Sequence, residues 1–252
     1  ALGKPIILVS ADHQNKPDVG LAIAREWLER DNVDAIADMA NSAIALGVNT
    51  LIGEKKKVGL FVSPLTDRPT EADCNGHIVA WAYDANSTVG TTVKALLGEG
   101  QKSFFILSPD YEAGKVQEAA VEAAVLAGGG EIKGKVRAPL GTTDFSSFVL
   151  QAQASKADVI ALNNGGDDGI NSMKAVREFG LLAAGMKVAA LGLDSLPALK
   201  SASLEVAQGS MFATTWFPEI SPEAQAFMKK FIERRKIAPG PFQVGTYSAV
   251  LN

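Results

Sequence analysis

Sulfur and imidazole are scarce in this chain of 252 residues, which holds 1 cysteine and 2 histidines. Cys74 has no second cysteine to meet, so an intrachain disulfide and a cysteine metal cluster are both excluded. Neither His13 nor His77 has a local Ser or Cys partner. Long apolar runs are missing too. None approaches the roughly 18 residues of a membrane span, and even the stretch 119–130 is broken by Glu122. No basic segment followed by an apolar one opens the chain, so it reads as a soluble chain or the mature part of one. A basic excess is also absent: 24 Lys plus Arg face 28 Asp plus Glu, for a net charge of −4. Nucleic-acid binding is therefore not expected.

The usual catalytic signatures are absent as well. There is no Gly-x-Ser-x-Gly elbow, no phosphate loop ending in Gly-Lys-Ser/Thr, and no Gly-x-Gly-x-x-Gly between a strand and a helix. Gly128-Gly129-Gly130 follows a helix and precedes a strand, the reverse of a phosphate cradle. Asp167-Asp168 lacks the alternate-position spacing of a calcium loop and reads as solvated or helix-capping. His13 beside Asp12 reads as a polar loop residue. No cofactor and no metal are expected, and no enzymatic activity.

Apolar residues make up 47% of the chain, and they are arranged as short runs alternating with longer helical patterns. Strands are expected over 5–10, 35–39, 58–62, 103–107, 131–136, 158–162, 187–191 and 209–214. Helices are expected from Asp18 as cap, from Asn41-Ser42 through Leu51, and beyond Ser87 to about Gly98. Further helices are expected over 114–127, from Thr142–Asp144 through Ser155, over 170–179, 223–235 and 243–251. Such alternation implies βαβ crossovers and parallel sheets with helices on both faces. Eight strands are many for one sheet of this length, and the breaks near 97–102 and 214–218 suggest two lobes.

In parallel α/β sheets, ligands bind at the C-terminal strand edge, helped by free amides at helix starts. Four polar loops fall there: Asn41-Ser42, Ser63-Pro64-Leu65-Thr66-Asp67, Ser108-Pro109-Asp110-Tyr111, and 163–168. Singly each reads as ordinary capping or turn chemistry. Together they mark one edge.

The ordered series Phe-Ile-Leu-Ser-Pro-Asp-Tyr-Glu-Ala-Gly (105–114), Gly-Gly-Glu-Ile-Lys-Gly (129–134), Pro-Leu-Gly-Thr-Thr-Asp-Phe-Ser-Ser (139–147), residues 151–160 and Glu-Phe-Gly-Leu (178–181) resembles a known family. It is similar to the solute-binding proteins of ABC transporters, type I periplasmic fold, in the leucine/isoleucine/valine-binding branch. The likeness extends more loosely over 4–84 and 209–251.

The resemblance implies an α/β two-lobed clamshell, each lobe a parallel sheet with helices on both faces. Residues 1–98 and 215–252 would form a first, incomplete lobe, and 99–214 a second. Family members begin with another strand and helix, so a chain truncated at both ends is expected. A small carboxylate-bearing solute, an amino acid or related acid or amide, would sit in the cleft.

By position, Asn41 and Ser42 would offer a hydroxyl and amides to its carboxylate. Ser63, Pro64, Leu65 and Thr66 would meet the same end. Tyr111 would face the cleft from the second lobe, beside Asn163 and Asn164. Asp194 falls near the family's acidic partner for a ligand ammonium. Trp81 and Tyr83 line either the pocket or the core. Ala113 stands where many relatives carry an aromatic residue.

The implied partner is an ABC permease in the inner membrane, and the implied location is periplasmic or lipid-anchored at the outer face of the membrane. The protein is expected to be a monomer. A cytoplasmic amide- or amino-acid-sensing regulator of the same fold and an α/β enzyme with dispersed residues are the alternatives.

Overall fold

The structure, a computed structural model, describes residues 3, 5–81, 84–193, 200 and 203–251. Helix α1 (Pro17–Glu29) starts on a proline, which supplies the first-turn φ and lacks an amide that would go unused there. Its N-cap, Lys16, makes no side-chain capping bond. Asp18, expected as the cap, instead lies inside the first turn, where its charge complements the helix dipole.

Strand β1 (Ala35–Asp38), helix α2 (Ser42–Lys55), strand β2 (Val58–Phe61) and strand β3 (Ile78–Ala80) follow. They form a three-stranded sheet in the order β1-β2-β3, parallel throughout. One core cluster serves it, joining Ala24 and Leu28 of α1 to Ile36, Ile44, Val48, Ile52 and Phe61.

Helix α3 (Ala85–Gly98) opens on a capping box, with the Asp84 carboxylate accepting from the Ser87 amide at 2.7 Å. The second sheet then builds through β4 (Ser103–Pro109), α4 (Glu112–Ala127), β5 (Glu131–Ala138), α5 (Ser146–Ser155) and β6 (Val159–Leu162). It continues through α6 (Gly166–Glu178), β7 (Lys187–Ala190), the short α7 (Leu204–Ala207) and β8 (Ser210–Met211). Its order is β5-β4-β6-β7-β8, again all parallel.

All seven residues of β4 and all four of β6 are buried, as continuous apolar runs covered on both faces should be. Alternate β4 residues feed two separate cores. Phe105 and Leu107 join Phe145, Ile160 and Met173, while Phe104 and Ile106 join Val89, Val121 and Val159. Helix α3 contributes Ala85, Val89, Val93 and Leu96 to the second of these cores, so it packs on the larger sheet. Helices α8 (Pro222–Arg235) and α9 (Pro241–Leu251) end the chain, and α9 returns to touch β1 and β2.

Two further local expectations are corrected, and one strand is added. Residues 5–10 form no strand: Ile6, Ile7 and Leu8 are 69%, 86% and 87% exposed, and no described strand pairs with them. The run is apolar enough for a strand, but an unpaired backbone gains nothing from extension. Strand β3 falls where no element is expected from the sequence, because three residues are too short for a period to show. Helix α6 begins four residues before the expected Ile170, with Gly166 entering it at φ +56°.

Candidate functional site

Strand order in the larger sheet reverses at β4: the chain goes to β5 on one side, then crosses to β6 on the other. Loops leaving such neighbours diverge and open a crevice at their carboxyl ends. The residues at that point are Ser108 through Tyr111, at the end of β4 and just past it, and Asn163-Asn164 after β6. The Asn163 amide nitrogen donates to the Leu107 carbonyl at 2.9 Å, and its side-chain Nδ2 donates to Ser108 Oγ at 2.8 Å.

Two glycines shape this edge by close approach. A methyl on Gly114 would collide with the Pro109 carbonyl oxygen, so the first turn of α4 lies tight against the strand end. A methyl on Gly192 would collide with the Asn164 carbonyl, so the turn after β7 presses Asn163 and Asn164 inward. Both asparagines are thereby buried.

That burial leaves polar atoms stranded. Asn163 Oδ1 and both Nδ2 and Oδ1 of Asn164 are buried with no hydrogen-bond partner among the described residues. The smaller sheet shows the same feature at its own C-terminal edge, where Ser42 Oγ and Thr66 Oγ1 are buried and unpartnered. A buried, unsatisfied polar group costs about 1–3 kcal/mol. Folded proteins rarely leave one without a reason, and among the described residues all five such atoms lie in strand-end loops or, for Ser42, at the first residue of the helix that follows a strand.

The remaining expected residues divide. Asn41 is fully engaged: its Oδ1 accepts from the Ala43 and Ile44 amides, and its Nδ2 donates to Asn15 Oδ1 at 2.6 Å. That makes it the cap of α2. Ser63 donates its hydroxyl to the Asp38 carboxylate. Pro64 and Thr66 line a small cavity of about 70 Å³ with Phe61, Asp67 and Asp84. Leu65 packs against the core of the larger sheet, and its carbonyl accepts from the Ala85 amide at 3.4 Å, so this loop bridges the two sheets. Trp81 is half-buried and donates its backbone N–H to the Phe61 carbonyl at 2.8 Å. Asp194 and Tyr83 lie outside the described residues.

Tyr111 is the N-cap of α4 and makes no side-chain capping bond. Burial pushes its phenol pKa up, and the neighbouring Asp168 charge pushes it the same way, so the hydroxyl stays a proton donor. Asp168 is a residue the sequence undervalued. It is buried in the first turn of α6, and its Oδ2 accepts the Gly141 amide at 3.0 Å, rather than standing solvated or as a cap. Helix α6 has Gly165 as its N-cap and so no side-chain cap, which leaves its first amides next to Asn164 in the chain.

A second residue was missed. Asp38 ends β1 at φ +79°, followed by Met39 at φ +75°. Burial raises its carboxyl pKa, with the His13 charge opposing in part. Only its position four residues before Ser42 hinted at it.

Among the described residues no group of His, Cys, Asp and Glu is placed to hold a metal ion. The larger cavity, about 340 Å³, lies by Leu96, Glu99, Lys187 and Ser210 at the opposite strand edge and collects none of the expected residues. Helices α2 and α4, one from each sheet's set, come into contact. The arrangement is thus two parallel sheets joined by a bridging loop, with unsatisfied donors and acceptors at the carboxyl edges of both.

A parallel α/β pair with polar strand-end loops of this kind defines a type I periplasmic-binding fold. The sequence model described as periplasmic binding protein matches residues 1–251, and the chain belongs to that family. A Leu/Ile/Val-binding protein homologue of Brucella melitensis is 26% identical over 247 residues, covering 94% of this chain and 61% of the relative. A branched-chain amino acid ABC transporter periplasmic ligand-binding protein from Burkholderia xenovorans is 44% identical at TM-score 0.85, covering 100% of this chain and 67% of that one.

A periplasmic binding protein from Burkholderia mallei is 38% identical at TM-score 0.93, covering 98% and 66%. A solute-binding protein of an ABC transporter from Rhodopseudomonas palustris, in complex with 3,4-dihydroxybenzoic acid, is 25% identical at TM-score 0.89, covering 99% and 68%. The chain therefore spans about three-fifths of the length of its curated relatives.

Proposed function

We propose that this chain is the greater part of an extracytoplasmic solute receptor that takes a small carboxylate-bearing molecule between its two sheets. The solute is passed unaltered to an ABC permease, and the receptor works as a monomer in the periplasm or tethered at the outer face of the membrane. The observation that carries this reading is the set of buried, unpartnered polar atoms on Ser42, Thr66, Asn163 and Asn164. Hydroxyls, amides and uncapped helix starts can together hold an anion without a buried cation.

The solute class follows the relatives: an amino acid, as the name of the Burkholderia xenovorans protein suggests, or an aromatic acid, as in the Rhodopseudomonas palustris complex. The lobe division we favour lies before α3, at about residue 84, because α3 packs in the core of the larger sheet. Asn41, Ser63, Pro64, Leu65 and Trp81 then form the wall and frame of the first-lobe site, with Tyr111 opposite and Asp194 as a further candidate.

Native mass spectrometry of the gently purified protein, with calorimetry against branched-chain amino acids and benzoates, tests this. A bound acid, or saturable binding of one of these compounds released unchanged, is expected. A protein that carries no small molecule and binds none of them overturns the reading, as does chemical conversion of the bound acid.

A further inference from the structure

Asp38 stands in surroundings that stability alone does not explain. Two consecutive non-glycine residues, Asp38 and Met39, hold left-handed backbone angles of +79° and +75°. Side chains other than glycine take up this region at a cost, and such strain gathers at functional sites. The Asp38 carboxylate is half-buried, yet no Lys or Arg pairs with it among the described residues. The one hydrogen-bond donor that reaches it there is the Ser63 hydroxyl. An ionised carboxylate accepts about four hydrogen bonds, so most of its capacity stands open.

The groups around it are held in place. Asn15 Oδ1 accepts from Asn41, which pins the 13–16 loop to the cap of α2, and His13 Nδ1 accepts from the Asn15 amide at 3.0 Å. Ser42, with its buried unpartnered hydroxyl, follows within the same strand-to-helix turn. A strained carboxylate oriented by a serine, with no Lys or Arg partner among the described residues and four positions before an unsatisfied hydroxyl, is arranged to receive something.

We infer that Asp38 is a specificity-determining residue of the solute site, accepting a hydrogen bond from a hydroxyl or ammonium group of the solute. The inference rests on the receptor reading above and sharpens it: the solute bears a proton donor as well as a carboxylate. Ser63 acts through Asp38 as a positioning residue. A hydroxyl and an ammonium share this chemistry, and matched probes separate them.

The test is calorimetry on the wild-type protein, Asp38→Asn and Asp38→Gly, using 3,4-dihydroxybenzoate against benzoate and leucine against 4-methylpentanoate. The wild type is expected to prefer the donor-bearing member of one pair at least tenfold, the pair telling hydroxyl from ammonium. Both variants are expected to lose that preference while still binding the member that lacks the donor. Asp38→Gly should also melt at a higher temperature than the wild type, since glycine accepts φ +79° freely and removes a half-buried charge.

Equal binding within both pairs by the wild type overturns the proposal and leaves the receptor reading standing. So does an undiminished preference in Asp38→Asn and Asp38→Gly. Absence of binding to all four compounds by the wild type overturns the receptor reading and this proposal with it. A lower melting temperature for Asp38→Gly overturns the strain argument and assigns Asp38 a structural role.

Discussion

The two sheets are built to different standards. The larger one buries β4 and β6 completely and sits between two hydrophobic cores. The smaller one has strands of three or four residues, a single core cluster, and exposed Val58 and Val79 at 46% and 45%. Their aspartates differ in the same sense. Asp158 anchors the start of β6 to β4, accepting from the Lys102 and Ser103 amides and the Ser103 hydroxyl at 2.8–2.9 Å. Asp38 ends β1 in a strained turn with the Ser63 hydroxyl as its donor. Burial is concentrated in one half, and conformational cost at the carboxyl strand edge of the other. A binding site placed partly on the weaker half can be remade without unfolding the stronger one.

The largest effect that sharpens this contrast is Phe104→Ala. Phe104 is fully buried in β4, and its removal should cost about 3–5 kcal/mol by transfer and cavity terms together. Urea denaturation measures it; a loss under about 1 kcal/mol would mean the larger sheet is not the stable half.

Next come Thr66→Ala and Tyr111→Ala, one on each side of the expected cleft. Each should weaken solute binding about ten- to a hundredfold while leaving the urea midpoint nearly unchanged. Calorimetry showing full affinity in both variants would remove the site from these loops.

Third is Asp158→Ala, expected to cost about 1.5–2 kcal/mol through its charge-assisted hydrogen bonds. Those bonds, the Lys102 amide first, hold the Asp158 carboxyl below its ordinary pKa. Its stabilisation is therefore present above the unfolded value of about 3.9 and lost as pH falls through the lower folded value. Replacing it should flatten the acid limb of a stability–pH curve below about pH 4.

The smallest effect has the opposite sign. Burial raises the Asp38 pKa, so the folded state holds that proton more tightly and stability falls as pH rises from about 3.9 through the raised value. Asp38→Asn should remove this decline. Thermal melts across pH 3–7, an experimental range of about four units, resolve both aspartates. An unchanged curve in either variant contradicts its assignment.

Much of this architecture is legible in the sequence, because parallel strands buried on both faces are continuous apolar runs separated by amphipathic helices. That is why 103–107, 158–162 and 187–191 could be read so closely. The small sheet was harder. Ile78–Ala80 is too short to show a period, and the apolar run 5–10 has a strand's composition without a strand's partner. Burial of Ser42, Thr66, Asn163 and Asn164 follows from their place at strand ends, which order along the chain already indicated.

Asp38 and Asp168 were not legible as site residues. A lone carboxylate near a helix start looks the same whether it is solvated, capping or buried. Gly192 is beyond sequence reasoning for a different reason. Its role depends on a carbonyl 28 positions earlier, at Asn164, against which no side chain would fit.

Hydrogen exchange with and without a saturating acid that calorimetry has shown to bind addresses the central claim most directly. Clasping by both sheets predicts simultaneous slowing in peptides covering 39–46 and 63–67 on one side and 108–114 and 163–169 on the other. Slowing confined to a single sheet, or located instead around Glu99, Lys187 and Ser210, would contradict it.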